Sequence, residues 1–429
     1  MHIIMEKIAD SELILNGDGT IFHLHLKPEN IAKNIILVGD PARVDVVAEC
    51  FDNVTFSYDY ADEERPRYMQ EGDGLSQWRF QANSLKHLSD DSAVFGKIEY
   101  SNGTKRNVLW NTTSDFDLLF PYVLADSVGG DLRKEKYAFS GGCSHRTGRW
   151  LLGASGSYRA LHEFRQVDPR PRNITSDFSI GGSAAYSIGE HYLDLTLLYR
   201  RYFQNQGVSF MNKRGANTSE FHLTGLGSHF GRFAGTTAYT STYYRGQGFS
   251  AGISIFGRDR LSWSGGAKYS RFRAVRHLVN QNQAPITELY LNTLEVYADS
   301  RHFYPFAGTW EAYFSLAADF GWRQGRENVI SNMSTGSFAT LLSLPMYSRR
   351  ALDATITGVL HKRGGALAFY PEIYWQSATA KHLFPVRNID YGIASLSLRG
   401  GMETVRLSPL SSGGIFLMAV HVTKLLIFS

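Results

Sequence analysis

The best-defined chemical pattern in this sequence is Gly39, Asp40 and Arg43, set in the run Ile36-Leu37-Val38-Gly39-Asp40-Pro41-Ala42-Arg43-Val44. A glycine turn between a strand and a helix points backbone N–H groups and the positive helix end at an anion, and Arg43 adds charge-assisted donors. The chemistry would be phosphate binding. His23 and His25 lie upstream, and a metal site built on that pair is not expected. Cys143 and His145 would share one strand face, but beside the Thr147-Gly148 turn they read as loop-proximal residues rather than a nucleophilic pair. Tyr199-Arg200-Arg201-Tyr202 and Tyr269–Arg276 could line a lumen and hold an anionic solute, or form a solvated wall. No Gly-x-x-x-x-Gly-Lys-[Ser/Thr] loop or His-Glu-x-x-His pair occurs, and Gly153–Ser157 lacks the glycine spacing of a nucleophile elbow. No catalytic residue, cofactor or metal ligand is expected.

Two textures of chain would have to position these groups. Asn34–Val38 is a continuous apolar run, as in a strand buried on both faces. Asp40 then suits an N-cap and Pro41 the first helical position, with Val44, Val46, Val47 and Cys50 at helical spacing. From about Val54 the sequence alternates instead. In Trp310–Trp322, every second residue (Trp310, Ala312, Phe314, Leu316, Ala318, Phe320, Trp322) is apolar, and the intervening set is mixed, small or polar. A period of two means a strand with one apolar and one wet face. At about 3.3 Å per residue and about 40° of tilt, it crosses roughly 30 Å, the thickness of a bilayer core.

The alternation recurs in Trp150–Leu161, in His191–Phe203 and around Leu367–Gln376. Trp150, Trp310, Trp322 and Trp375 are the candidate membrane-interface aromatics. Asn102-Gly103 reads as a hairpin turn, Glu63–Gln70 as a loop, Ser187–Glu190 and Phe256–Asp259 as short turns, and Val167–Asn173 and Asn280–Pro285 as longer loops. The expectation is an all-β, transmembrane antiparallel β-barrel of roughly 14–16 strands over 54–429, with a short α/β fragment over 1–53.

Both parts carry a resemblance. Phe22-His23-Leu24 with Ile36–Val44 resembles the N-terminus of nucleoside phosphorylases of the uridine phosphorylase type. That implies phosphate contacts for Gly39 and Arg43 and a ribose contact for His23. The family's remaining active-site motifs are missing from 54–429, so the expectation is an incomplete, inactive fragment; the rival expectation is nucleoside phosphorolysis. Phe56–Tyr60, Phe120-Pro121-Tyr122, Ala125–Asp131 and Phe139-Ser140-Gly141-Gly142 resemble an outer-membrane β-barrel family of Bacteroidota-type bacteria without established substrate or catalytic residues. It implies an outer-membrane location, the lipid bilayer as partner, and a structural, binding or transport role with a small solute in the lumen. Together the two resemblances describe a chimeric chain.

The totals leave a barrel open. The 429 residues have room for two or three ordinary domains or for one large closed sheet, and 41 glycines and 13% aromatic residues with only 12 prolines argue against disorder. A mean hydropathy of -0.23 argues against helical spans but not against strands whose two faces cancel. Forty-four basic against 40 acidic residues, scattered, give no basic stripe, so no nucleic-acid partner is expected. Two cysteines, Cys50 and Cys143, make no disulfide framework. Met1–Asp10 shows no secretory signal, which puts export of this chain in doubt, and Gly413–Ser429 loses clean alternation, as in an altered or truncated last strand.

Overall fold

A computed structural model of the chain describes residues 51–63, 68–211, 220–231, 241–257, 263–279, 284–306, 310–331, 340–362, 367–402 and 420–428. The strands of the first half are β1 (Phe51–Asp62), β2 (Gly74–Ser89), β3 (Ser92–Val108), β4 (Leu124–Asp126), β5 (Gly130–Thr147), β6 (Trp150–Phe164), β7 (Arg170–Ile188), β8 (His191–Ser209), β9 (Glu220–Gly225) and β10 (Ser228–His229). The second half adds β11 (Ser241–Gly257), β12 (Ser264–Leu278), β13 (Pro285–Phe306), β14 (Trp310–Ile330), β15 (Thr340–Lys362), β16 (Leu367–His382), β17 (Arg387–Met402) and β18 (Val420–Phe428).

Fifteen of these strands form one antiparallel sheet in chain order, with β4, β9 and β10 set apart as a second sheet of three. The large sheet is the wall of a transmembrane β-barrel whose two edge strands, β1 and β18, are not paired to each other among the described residues. Sequence periodicity determines which way each strand faces. On β8, Leu193, Leu195 and Leu197 point outward and are 41%, 52% and 56% exposed, while Asp194, between them, is 2% exposed inside. On β14, Phe314, Leu316, Phe320 and Trp322 point outward, as the alternation requires. That strand runs eight residues past Trp322, to Ile330. Among the described residues no helix is long and apolar enough to cross a membrane.

An outward leucine tests this orientation directly. Leu195→Arg would place a cation against hydrocarbon and is expected to lower folding stability in lipid vesicles by about 2–4 kcal/mol. Urea titration of refolding into vesicles measures it, and an unchanged midpoint would mean that this face does not meet lipid.

Three sequence expectations need correction. Asn102-Gly103 is no turn: β3 runs straight through it, with Gly103 paired to Gln77 on one side and Lys134 on the other. Both neighbours continue past this point, so ladder hydrogen bonds override the local turn preference. The loop read over Val167–Asn173 is shorter, because Arg170–Asn173 already belong to β7. Finally, β1 begins at Phe51, so the change of texture read at Val54 falls inside a strand.

The two ends of the wall differ. At one end β5 turns into β6 through Gly148-Arg149 and β7 into β8 through Gly189-Glu190, each glycine having positive φ (59° and 61°). At the other end, residues 109–129 separate β3 from β5 and 210–240 separate β8 from β11. Short turns on one side and long connections on the other are the membrane-barrel arrangement.

Candidate functional site: an insert docked in the lumen

The long connections fold inward. Residues 109–129 bring one helical turn, Phe116–Leu119, and β4, which pairs with β9 from the second connection (Leu124↔His222, Ala125↔Phe221, Asp126↔Glu220). β10 completes this small sheet. Two glycines allow the return to the wall: Gly129 and Gly130 have φ of 70° and 127°, and a Cβ at Gly129 would lie 2.3 Å from the Leu109 side chain. Left-handed backbone of this kind favours glycine.

Apolar packing seats the insert. Phe116, Leu119, Tyr122 and Val123 form a buried cluster with Tyr202 of β8, Tyr244 of β11, Phe272 of β12 and Leu289 of β13. Across the lumen, Gly325 of β14 makes room for Tyr122, since a Cβ there would come within 2.5 Å of its hydroxyl. The Phe120 ring meets Tyr347 of β15 edge-on at 5.8 Å.

Directed polar bonds fix the position. Asn173 of β7 and Gln206 of β8 both donate to the Thr112 carbonyl, at 2.7 and 2.8 Å. Arg323 of β14 donates to the carbonyls of Phe120 (2.6 Å) and Asp117 (2.5 Å), and Tyr244 to that of Tyr122 at 2.9 Å. Arg165 pairs with Asp126 at 3.0 Å, and Arg387 of β17 donates to the Leu226 carbonyl. Wall strands from β6 to β17 therefore hold the same folded element. Such bonds satisfy the backbone groups of a segment taken out of water.

Beside the helical turn lies a cavity of about 640 Å³ between insert and wall. Its charges form two alternating chains. Lys105 of β3 lies 2.7 Å from Glu71 and 3.4 Å from Glu163. Arg159 of β6 makes a two-pronged contact with Asp115 (2.9 and 2.7 Å) and touches Asp177 at 3.1 Å. Asp177 in turn accepts two bonds from Arg200, at 2.8 and 2.7 Å. Burial by itself raises the Asp115 carboxyl, but the Arg159 bonds and the Tyr202 hydroxyl outweigh it and hold the group below the usual carboxylate range. Asp115 thus stays ionised and acts as the anchor of the insert. Its backbone is left-handed (φ 53°, ψ 47°), a conformation that Asp and Asn tolerate better than most residues.

A second buried carboxyl sits at the other end of the insert. Glu220 is 4% exposed and neither of its carboxylate oxygens has a hydrogen-bond partner among the described residues. Burial pushes its carboxyl up to about 8; Arg276 opposes the shift and Asp126 adds to it. Arg276 of β12 is 1% exposed and approaches the His222 ring at 2.8 Å.

The residues singled out in the sequence are dispersed. Gly39, Arg43 and His23, with the whole phosphate-turn fragment, lie outside the described residues. Trp150, Trp322 and Trp375 point outward and are 48%, 41% and 49% exposed. Trp310 opens β14, its side chain outside the description. The Arg/Tyr stretches do not form one lumenal anion site. Arg200 and Arg276 face inward against Asp177 and His222, whereas Arg201, Arg271 and Arg273 alternate to the outside. Ser92 and His145 meet at 2.9 Å, though no carboxylate or amide among the described residues bonds the other ring nitrogen, so no triad is assembled. Nor do the described residues contain a group of three or more His, Cys, Asp or Glu placed to hold a metal. Sequence reasoning missed the insert altogether. Its one available signal was Ser127-Val128-Gly129-Gly130, a glycine pair ending a stretch without alternation.

A protein-family model described as a family of unknown function (DUF6850) matches residues 48–413. No curated protein matches the chain. Among solved structures, it is similar to the siderophore receptor PiuA from Acinetobacter baumannii (8% identity, TM-score 0.40, covering 89% of this chain and 64% of that one). It is also similar to the ferric yersiniabactin uptake receptor FyuA from Yersinia pestis (10%, 0.38, 83% and 61%). The outer membrane transporter YddB from Escherichia coli is a third (7%, 0.35, 82% and 57%). The chain spans about 57–64% of the length of these three proteins.

Proposed function

We propose that this chain, which belongs to the family of unknown function DUF6850, is an outer-membrane β-barrel that binds or passes a small solute through a lumen closed by its own insert. One observation carries this reading: residues 109–129 and 220–231 are folded into the barrel and bonded to wall strands from β6 to β17. A barrel whose wall alone were needed would not require a lumenal element with satisfied backbone groups and a dedicated ion-pair anchor. The outward aromatics, among them Trp150, Trp322 and Trp375, serve as interface anchors on this reading. The charge chains in the cavity have both signs, which suits a polar solute better than a purely anionic one.

Planar-bilayer recording tests it. The full chain should show low, intermittent conductance, and replacing residues 110–128 by a short glycine-serine turn should give a steadily open pore. Equal conductance of the two proteins would sink the gating role.

A further inference from the structure

The outer wall carries a group of exposed cations close together in the sheet. Arg201 of β8, Arg245 of β11, and Arg271 and Arg273 of β12 all point outward and are exposed, on three strands adjacent in the sheet. The register groups them. Arg201 stands opposite Gln247, which stands opposite Arg273. Arg271 is one row lower, opposite Phe249, and Arg245 one row higher, between Phe203 and Val275. With strands about 4.8 Å apart and outward residues about 7 Å apart along a strand, the four fall within roughly 14 Å along the strands and about 10 Å across them. Only Arg273 has a carboxylate, Glu288 at 2.8 Å. Among the described residues no carboxylate pairs with Arg201, Arg245 or Arg271, and Arg245 lies over the Tyr243 ring at 5.0 Å.

Two recesses meet here. A cavity of about 570 Å³ is lined by Arg245, Gln247, Arg271, Arg273 and Glu288. Directly below it, toward the apolar belt, a cavity of about 490 Å³ is lined chiefly by Ile180, Leu197, Tyr199, Ala251 and Tyr269. Phe249 and Arg271 line both, and the Tyr199 and Phe249 rings pack at 5.1 Å on the boundary. An arginine-lined recess above an apolar groove has the polarity of an amphiphile with an anionic head.

We infer that this face binds a phosphate-bearing lipid of the surrounding leaflet, with Arg201, Arg245 and Arg271 on the phosphates and acyl chains in the groove below. Guanidinium groups suit the occupant, because their planar fork grips phosphate oxygens in pairs. The site lies on the half of the wall nearest the long connections, the outward-facing end in barrels of this type. The inference rests on the outer-membrane placement proposed above, and its test does not read conductance, so the two can fail separately.

The experiment uses the full chain folded in detergent micelles. A diphosphorylated acylated glucosamine disaccharide is added, with its dephosphorylated analogue and inorganic phosphate as parallel arms. Native mass spectrometry reads lipid retention, and the thermal midpoint reads stabilisation. The phosphorylated lipid should be retained at least tenfold better than the analogue and should raise the midpoint by several degrees; inorganic phosphate at the same concentration should do neither. Combining Arg201→Gln, Arg245→Gln and Arg271→Gln should abolish the difference between the two lipids, whereas Arg→Lys at the same positions should keep part of it. Equal retention of phosphorylated and dephosphorylated lipid by the unaltered chain overturns the proposal, and that comparison needs no variant to fold. Undiminished preference in the triple glutamine variant, or a phosphate effect matching that of the lipid, overturns it as well.

Discussion

Asp115→Ala is expected to free the insert and turn a mostly closed barrel into an open one. The substitution removes the acceptor of both Arg159 bonds and of the Tyr202 hydroxyl, whose distance is 2.9 Å. Arg159 keeps only Asp177, already shared with Arg200. Breaking a largely buried pair by deleting one partner costs about 3–5 kcal/mol, because the remaining charge is left without compensation. Side-chain exposures of 18% for Asp115 and 26% for Arg159 place this case toward the lower end. Alanine in left-handed backbone adds roughly 1–2 kcal/mol. Asp115→Asn separates the two effects, since it keeps the tolerated backbone and the shape while removing the charge. The expected order of single-channel open probability is Ala above Asn above the unaltered chain. Identical open probability in all three would show that the ion pair does not hold the insert.

The second large effect is a loosening of the insert at alkaline pH through Glu220. Its carboxyl, raised by burial to about 8 from the ordinary glutamate value of 4.5, binds a proton on docking throughout the intervening range. The folded state then holds more protons than the released one, so rising pH opposes docking. The contribution is complete below about 4.5 and lost as pH climbs through about 8, and the shift corresponds to a few kcal/mol at most. The groups facing Glu220 are Arg276 from β12, Asp126 from β4 and His222 two residues along β9. Arg276 opposes the effect and Asp126 reinforces it. Hydrogen-exchange protection of residues 111–126 in the full chain, normalised to the intrinsic base-catalysed rate at each pH, should be markedly lower at pH 9 than at pH 6. Glu220→Gln should flatten that dependence, because a neutral amide mimics the protonated acid at every pH. Normalised protection that falls equally in Glu220→Gln would assign the effect elsewhere.

The lipid-facing wall was legible in the sequence because a strand's side chains obey a period of two regardless of its neighbours. Leu193, Leu195 and Leu197 against Asp194, and Trp150, Leu152 and Tyr158 against Arg159, already state which face meets lipid and which meets the lumen. Strand length against bilayer thickness then led to a membrane barrel, and the 14–16 strands expected compare with fifteen wall strands among the described residues. Alternation says nothing about which strand ends lie together. Asn102-Gly103 misled for that reason: a local turn preference worth a fraction of a kcal/mol cannot outweigh ladders to β2 and β5 on both sides.

One-dimensional patterning was enough for the wall, its two faces and its membrane setting. Tertiary structure alone decided where residues 109–129 and 220–231 go, because their partners are contributed by strands remote in sequence. Thr113 bonds Gln206, 93 residues away, and Arg323 reaches back 206 residues to Asp117. Phe120-Pro121-Tyr122 and Ala125–Asp131, readable only as short motifs, prove to be the segment that occupies the lumen. The same holds outside: Arg201, Arg245 and Arg271 are scattered along the chain and become one basic face only when β8, β11 and β12 pair. Periodicity is local and survives in one dimension, whereas a site assembled across several strands of a sheet depends on register, which long-range hydrogen bonds alone fix.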